Sequence, residues 1–420
     1  MGGVTLMNQL IYDCRVCGSH RIKSFFHLGN QPYANALLKQ AGQIEKKYPL
    51  SLNWCEDCNL VQLNYTADPK ELFSQYVWVT ATSSTAKEYS QVFCENAIKK
   101  CGGSNEIGYI LEIASNDGTF LKPFLKKGYR VLGIDPARNI VDLANSGGIT
   151  TECAFFGEEI AENIIKEKGY PGIVFARNVL PHVANLHDFV KGIKKCMNDE
   201  TLLILEVHYA KSILEELHYD SIYHEHLCYF TYKTLEKLLN LYQLYAFDFI
   251  SSPISGGSLV LYIRNTRILK EKNLALLAER EEKEGINSYG NWERFAIRSQ
   301  IHRELFLRLI DEEINCGNHV IGYGASARSA TLLNFCNIDS TRISAIADQN
   351  QLKQRLFSPG SQIPILSADE AMNRNPDAVV ILAWNFLSEI RNILMTQYGF
   401  KGKIIIPLPY PPKKHGIEED

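Results

Sequence analysis

The sequence predicts an α/β protein in three parts: a small cysteine-stapled segment, a central doubly wound parallel sheet, and a second sheet of the same kind. Three observations predict it. Two C-x-x-C pairs lie before residue 60. Short apolar runs that end in polar or acidic residues alternate with helix-like segments between residues 109 and 208, the pattern of a parallel sheet with crossover helices. A strand, a glycine turn and a helix start then follow one another again from residue 319.

The chain has 420 residues, too many for one ordinary domain. Apolar residues make up 45% and charged residues 22%, a globular composition that excludes a disordered chain. Lys and Arg total 44 against 47 Asp and Glu, a net charge of −3, which excludes a general binder of nucleic acid or of anionic membrane. No apolar run approaches the ~18 residues of a transmembrane helix. Residues 1–9 lack the basic and apolar regions of a signal peptide. Behind Gly2, Leu6 stands where a myristoylation signal needs Ser or Thr. The expectation is a soluble, cytoplasmic protein with no membrane or nucleic-acid partner.

The first part rests on cysteines. There are 11, an odd number with no secretion signal, which argues against a disulfide framework. Cys14-Arg15-Val16-Cys17-Gly18 and Cys55-Glu56-Asp57-Cys58-Asn59 are two matched knuckles. Each ends in a residue tolerant of the left-handed corner such a turn requires. Four thiolates brought together suit Zn²⁺. A redox C-x-x-C is the competing reading, but redox motifs come singly beside a βαβ unit. The expected site is structural and closed, helping a segment with a small core to fold. The other seven cysteines read as small buried residues.

The central part opens with a buried-strand run at 109–114, a polar turn containing Gly118, and a helix start at 120–125. Further strands are expected at 130–134, ending in Asp135-Pro136, at 173–176, ending in Arg177-Asn178, and at 201–207, ending in Glu206-Val207-His208. Asp135 follows the glycine turn at about the 20-residue distance of a ribose-hydroxyl reader. The turn itself reads Glu112-Ile-Ala114-Ser-Asn116-Asp117-Gly118, with Ala114 and Asn116 where glycines are common.

Beyond the fourth strand lies Tyr223-His224-Glu225-His226, a run of groups able to move protons or polarise a carbonyl. A His-x-His metal pair and a purely structural aromatic strand are the alternatives. The zinc-protease pattern is excluded because Cys228 holds the position of its second histidine. His182 follows the third strand, where functional loops of this architecture sit.

Residues 266–316 are charged and helix-prone, a connector. Gly322-Tyr-Gly324-Ala-Ser326-Ala327-Arg328 then makes a strand-to-helix turn, and a strand at 343–347 ends at Asp348. This G-x-G-x-x-A is compatible with NAD or with any phosphate at a helix N-terminus. Lys353 and Arg355 follow in a polar loop suited to a diphosphate. A buried strand at 378–382 and Trp384-Asn385 complete the module, and the polar tail at 411–420 is expected to be loose.

The Glu112–Gly118 turn resembles motif I of the S-adenosylmethionine-dependent methyltransferases. Twin knuckles, Leu-Glu-Ile-Ala-Ser-Asn-Asp-Gly, Tyr-His-Glu-His and Gly-Tyr-Gly-Ala-Ser-Ala-Arg, in that order over nearly the whole chain, resemble the sugar 3-C-methyltransferases of branched deoxysugar biosynthesis. The resemblance implies a zinc-binding domain (1–75), a central S-adenosylmethionine-dependent methyltransferase domain of Rossmann-like fold (76–265), and a helical connector with a second Rossmann-like domain that holds a nucleotide-sugar (266–420). It implies methylation at C-3 of a dTDP- or GDP-linked 4-keto-deoxysugar through an enolate. Glu112, Ala114, Asn116, Asp117, Gly118, Asp135 and Asn178 fall on the donor side. Tyr76, His182, Tyr223, Glu225 and His226 fall on the active site, with His226 as base, Glu225 orienting a neighbour, His182 and Tyr223 bonding the enolate oxygen, and Tyr76 closing over it. His224, Gly324, Ser326, Arg328, Lys353 and Arg355 fall on the nucleotide-sugar side. Two rivals are weaker. An NAD-dependent sugar oxidoreductase or epimerase needs a Tyr-x-x-x-Lys pair that does not follow a Rossmann strand here, and a zinc-binding adaptor has no use for Tyr-His-Glu-His. A self-contained three-domain chain predicts a monomer.

Overall fold

A computed structural model describes residues 8–76, 78–102, 108–252 and 257–419; the reading of Gly2 and Leu6 lies outside the described residues. Three sheets carry the three parts.

The N-terminal sheet is antiparallel: Ile22–Gln31 pairs with Tyr48–Cys55, which pairs with Val61–Leu63. Its far edge is Cys228–Tyr229, from just beyond the histidine motif, paired with Gln62 and Val61. The loop bearing Tyr223–His226 is therefore stitched to the zinc domain by main-chain hydrogen bonds. Phe26, buried in this sheet, packs edge-on against Phe295 and Phe335 with ring centroids 5.6 and 5.7 Å away. That contact docks the small domain on the connector and the C-terminal module.

The central sheet runs, edge to edge, Tyr245–Ser252, Ser258–Arg264, Leu202–His208, Ile173–Arg177, Tyr109–Ile113, Arg130–Asp135, Thr151–Cys153. The last five are parallel, and Ser258–Arg264 runs antiparallel to both of its neighbours. Tyr109–Ile113 is buried throughout, as a parallel strand covered on both faces requires. Its neighbours lead to opposite sides of the sheet, so a crevice opens at its carboxyl end. The turn of Glu112–Gly118 stands there.

The C-terminal sheet has the order Ile365–Leu366, Ile346–Ala347, Val320–Tyr323, Ala378–Ile381, Lys403–Ile406, Lys413–Gly416. Its last strand corrects the sequence reading of a loose tail. Lys413–Gly416 pairs antiparallel with Lys403–Ile406, Ile417 is buried, and Arg391 Nε and Nη2 donate to the carbonyls of Ile417 and Glu419, both at 2.8 Å. Ladder bonds and a remote arginine order this polar segment, and neither leaves a mark in local composition.

The connector is helical, with helices Lys272–Lys283 and Tyr289–Asn315. The second buries Trp292, Phe295, Phe306 and Ile310 on one side, an amphipathic spacing. His302 bolts it between domains: one ring nitrogen meets Tyr219 Oη at 2.9 Å and the other Pro407 O at 2.6 Å. No described helix is long and apolar enough to cross a membrane.

Candidate active site

The knuckles form as their sequence requires. Gly18 and Asn59 adopt φ of 69° and 67°, and their N–H groups donate to the carbonyls of Cys14 and Cys55, each at 2.9 Å. The four Sγ atoms lie within 4.8 Å of one another, with 3.4 Å between Cys14 and Cys58 and 3.6 Å between Cys17 and Cys55. A tetrahedron with Zn–S bonds of ≈ 2.3 Å spaces its sulfurs by roughly 3.8 Å, so the donor set fits one zinc ion with no position left for a substrate.

A cavity of about 1190 Å³ opens where all three parts meet. A pocket for one drug-sized ligand spans about 300–1,000 Å³, so this cavity is larger than one such pocket. On the donor side, Ala114, Asn116 and Gly118 take φ of 57°, 50° and 73°. The loop keeps a glycine loop's path although two of the three are not glycine, at a cost of roughly 1–2 kcal/mol for each left-handed L-residue. Asp135 receives the N–H of Asn116 on one carboxylate oxygen and that of Ala137 on the other, both at 2.9 Å. Burial pushes its pKa up and these two bonds oppose the rise. It lines the cavity with lone pairs to spare for ribose hydroxyls.

Glu112 also lines it, at 3% exposure, and its Oε2 has no hydrogen-bond partner among the described residues. Burial pushes its carboxyl well up, with Arg177 opposing. An orphaned buried carboxylate is costly unless a cation or donor meets it, and the ammonium of a methionine end is such a group. Asn178, at φ 51°, faces the same space with an unpartnered Oδ1. Asp117 and Gly118 do not line the cavity, which corrects their assignment to it. Asp117 takes Thr119 Oγ1 at 2.7 Å and Ala81 N at 3.3 Å, and a Cβ on Gly118 would fall 2.6 Å from Ile149. Both hold the turn.

Two side-chain amides lace a segment across the cavity. Asn116 Oδ1 accepts Thr80 N at 2.9 Å and its Nδ2 donates to Trp78 O at 3.1 Å. Asn139 Oδ1 accepts Tyr76 N at 3.1 Å and its Nδ2 donates to Tyr76 O at 2.8 Å. Tyr76 Oη then donates to Glu225 Oε2 at 3.3 Å, while Asn35 Nδ2 donates to Glu225 Oε1 at 2.6 Å. Glu225 is 2% exposed, and burial pushes its pKa up to about 7 against those two bonds. It sits behind the cavity wall and touches the cavity through Tyr76 and Asn35, which line it.

His226 Nδ1 stands 2.7 Å from Ser221 O. A carbonyl can only accept, so this contact assigns the ring proton to Nδ1 and leaves Nε2 as a lone pair. The ring lies 4.0 Å from that of Tyr223 and 4.7 Å, edge-on, from that of His182. Burial holds His226 well below the usual histidine range, reinforced by His182, and lowers His182 to about 4. Both rings are neutral near pH 7.

His224 faces the other way, correcting its place among substrate contacts. Its Nε2 meets Pro49 O at 3.2 Å, and Tyr33, Tyr48 and Tyr65 surround it with centroids at 5.3, 6.1 and 5.9 Å. It anchors the motif to the zinc domain. His226 N–H donates to Tyr223 O at 2.9 Å, a turn that brings the rings of Tyr223 and His226 together at the cavity while His224 points away from it.

From the C-terminal module, Ser326, Arg328 and Lys353 line the cavity. Arg328 forks onto Asp220 at 3.1 and 3.0 Å, and Trp384 Nε1 donates to the same carboxylate at 2.8 Å. Asp220 is 1% exposed. Gly324 and Arg355 lie off the cavity, a further correction: a Cβ on Gly324 would meet Ala383 at 2.3 Å, and Arg355 is drawn by its own N–H to Ile365 O at 2.8 Å. Asp348 repeats the Asp135 arrangement, accepting Ala325 N and Asn350 N, both at 2.8 Å. Over this second turn, however, lies Lys353, whose Nζ donates to Ala325 O at 2.7 Å.

Sequence reasoning missed Asn35, Arg177, His208, Asp220 and Trp384 as neighbours of the site. Arg177 carried a signal, an arginine closing an otherwise apolar strand beside Asn178. Asn35 carried none.

Comparison with known proteins gives three matching family models: a zinc binding domain over residues 14–73, a methyltransferase domain over 86–246, and a C-methyltransferase C-terminal domain over 253–409. C-methyltransferase NovU of Streptomyces niveus is 30% identical over 406 residues, covering 96% of this chain and 96% of that protein. Among solved structures, the magnesium protoporphyrin IX methyltransferase of Synechocystis, with bound SAH, aligns at 13% identity and a TM-score of 0.34, covering 43% of this chain and 85% of that one. An S-adenosylmethionine-dependent methyltransferase of Clostridium acetobutylicum aligns at 13% identity and a TM-score of 0.35, covering 46% and 94%.

Proposed function

The chain belongs to the C-methyltransferase family, and from that premise we propose that it methylates C-3 of a nucleotide-linked 4-keto-deoxysugar, carried on dTDP or GDP. Its methyl donor is S-adenosylmethionine, which supplies an electrophilic methyl group when bound, and its structural ion is zinc. The observation that carries the reading is His226, whose Nδ1 is committed to Ser221 O, leaving Nε2 as a lone pair, and whose ring lines a cavity shared by all three parts.

A 4-keto group acidifies the neighbouring C-3 hydrogen. Neutral His226 takes that proton on Nε2, and the electron pair left behind delocalises onto the keto oxygen as an enolate. Tyr223 and neutral His182, both against the His226 ring, supply hydrogen bonds to that oxygen. C-3 would then form its new bond to the methyl carbon as the carbonyl is restored. The bond from sulfur to that carbon breaks, its electron pair stays on sulfur and S-adenosylhomocysteine leaves. His226 passes its proton to water. Glu225 is a positioning residue that holds Tyr76 and Asn35 in the wall. Asp135 reads the ribose and Glu112 the amino-acid end of the donor. Arg328, seated on Asp220, and Lys353 face the sugar-nucleotide as cations suited to a diphosphate.

The test is a panel of dTDP- and GDP-linked 4-keto-deoxysugars incubated with S-adenosylmethionine and read by mass. One added methyl on a 4-keto substrate, with none on its 4-hydroxy counterpart, is the expected result. Methylation of both alike would remove the enolate from the account.

A further inference from the structure

His226 and Arg328 hang from neighbouring residues of one short turn, Tyr219–Ser221, which is buried throughout. Ser221 O accepts the Nδ1 proton of His226 at 2.7 Å. That carbonyl therefore decides which nitrogen of the ring keeps its lone pair and how the ring is aimed. One residue earlier, Asp220 takes the fork of Arg328 at 3.1 and 3.0 Å and Trp384 Nε1 at 2.8 Å. All three bonds arrive from the C-terminal module, and the guanidinium of Arg328 lies over the Trp384 ring at 4.6 Å. The carboxylate is thus fixed in place and in plane by two donors that also brace each other.

The rest of the turn is held from outside the central domain as well. His302 Nε2 meets Pro407 O at 2.6 Å, and a carbonyl only accepts, so Nδ1 is the lone pair and takes the Tyr219 proton at 2.9 Å. The Tyr219 ring packs 5.0 Å from that of Phe335, on helix Ala327–Cys336. Within the turn, Ser221 Oγ donates to His218 O at 2.7 Å.

We propose that Asp220 is a positioning residue for the base. Through the Ser221 carbonyl it sets the aim of His226, so the C-terminal module contributes to proton removal as well as to holding the sugar-nucleotide. The role rests on the reading of His226 as the base at C-3. Asp220 itself touches no reacting atom and moves no proton. Loosening it lets Ser221 O shift and the His226 ring with it, and a misplacement of about 1 Å can cost about 10²-fold in rate.

The test is exchange of the C-3 hydrogen for deuterium. The full chain is incubated in D₂O with dTDP- and GDP-linked 4-keto-deoxysugars in turn, together with S-adenosylhomocysteine, which has no methyl group to give. Proton removal is then read alone, as loss of the C-3 proton resonance. Asp220→Asn should slow exchange at saturating sugar by about 10- to 100-fold, while calorimetric affinity for S-adenosylhomocysteine stays within about twofold. Trp384→Phe removes one bond to Asp220 and keeps every charge. It should slow exchange by a smaller factor, and it decides the matter if the asparagine variant does not fold. Exchange at the wild-type rate in these variants, with only a weaker hold on the sugar-nucleotide, would overturn the role and leave Asp220 as a support for Arg328 alone. Absence of exchange in the wild type would instead remove the base at C-3, and the positioning role with it.

Discussion

Asn35 of the zinc domain donates a 2.6 Å hydrogen bond to Glu225, a residue 190 positions further along the chain. The other oxygen of that carboxylate takes Tyr76 Oη. One buried acid therefore joins the N-terminal domain, the segment laced across the cavity, and the loop that carries His226. The zinc domain is part of the cavity wall.

Glu225 makes that wall sensitive to pH. Its pKa is about 7 in the folded protein against an ordinary 4.5, so the folded state binds the proton more tightly than the unfolded one. The stability this contributes is fully present below about pH 4.5 and is lost as pH rises through 7. The melting temperature of the wild type should fall between pH 5 and 8, and Glu225→Gln should flatten that fall. In kcat/KM the ionised carboxylate is the form that accepts both bonds, so activity should rise through pH 7 in the wild type. Glu225→Gln should be slower and without that inflection.

His226 should be visible by elimination. Burial holds it well below 6.5, so no limb at 6.5 belongs to it. Its removal by His226→Asn should cost on the order of 10²–10⁴-fold in kcat, the usual loss for a general base, with donor binding unchanged. A rate near wild type would transfer the base role to another group.

Much of this was legible in the sequence because it is local. Gly18 and Asn59 announce the knuckle corners, and buried strands ending in Glu112, Asp135 and Asn178 announce the crevice. What was not legible depends on tertiary direction. Within Tyr223–His226, nothing local says that His224 points into three tyrosines while His226 points into the cavity. Asp117 and Gly118 sit in the expected motif yet are used to hold the turn, because Asn116 takes the place nearer the cavity. Asn35 is set by a domain contact, and the tail strand by its pairing with Lys403–Ile406.

The anchoring role of His224 separates shape from chemistry. His224→Phe, which refills the tyrosine cage, should retain most activity, whereas His224→Ala should lose about 2–4 kcal/mol of stability, the range of large buried truncations, and lower kcat with it. Thermal melts and turnover on both variants check this. Loss of substrate affinity in the phenylalanine variant with an unchanged melt would restore His224 to the binding site.

The zinc knuckles should be needed for activity although they lie outside the chemistry. Cys14→Ser with Cys17→Ser removes two of four ligands. The variant should lose its stoichiometric zinc by elemental analysis, melt earlier, and lose turnover through Asn35. A folded, metal-loaded double variant would contradict the structural site.

The Asp220–Arg328 pair should be asymmetric to mutation. Arg328→Ala strands a carboxylate that is 1% exposed and should cost about 3–5 kcal/mol, the typical penalty for breaking a buried pair. Asp220→Asn keeps an acceptor for Trp384 and should cost less. Denaturant melts of the two variants make the comparison.

The central claim is that carbon, and C-3 in particular, receives the methyl group. Turnover with S-adenosylmethionine labelled with ¹³C in its methyl group, followed by carbon–proton correlation spectroscopy of the product, locates the label directly. The account predicts a labelled methyl joined to C-3 of the 4-keto sugar, with the original C-3 hydrogen gone. A label on oxygen or nitrogen, or on a carbon not adjacent to the keto group, would contradict it.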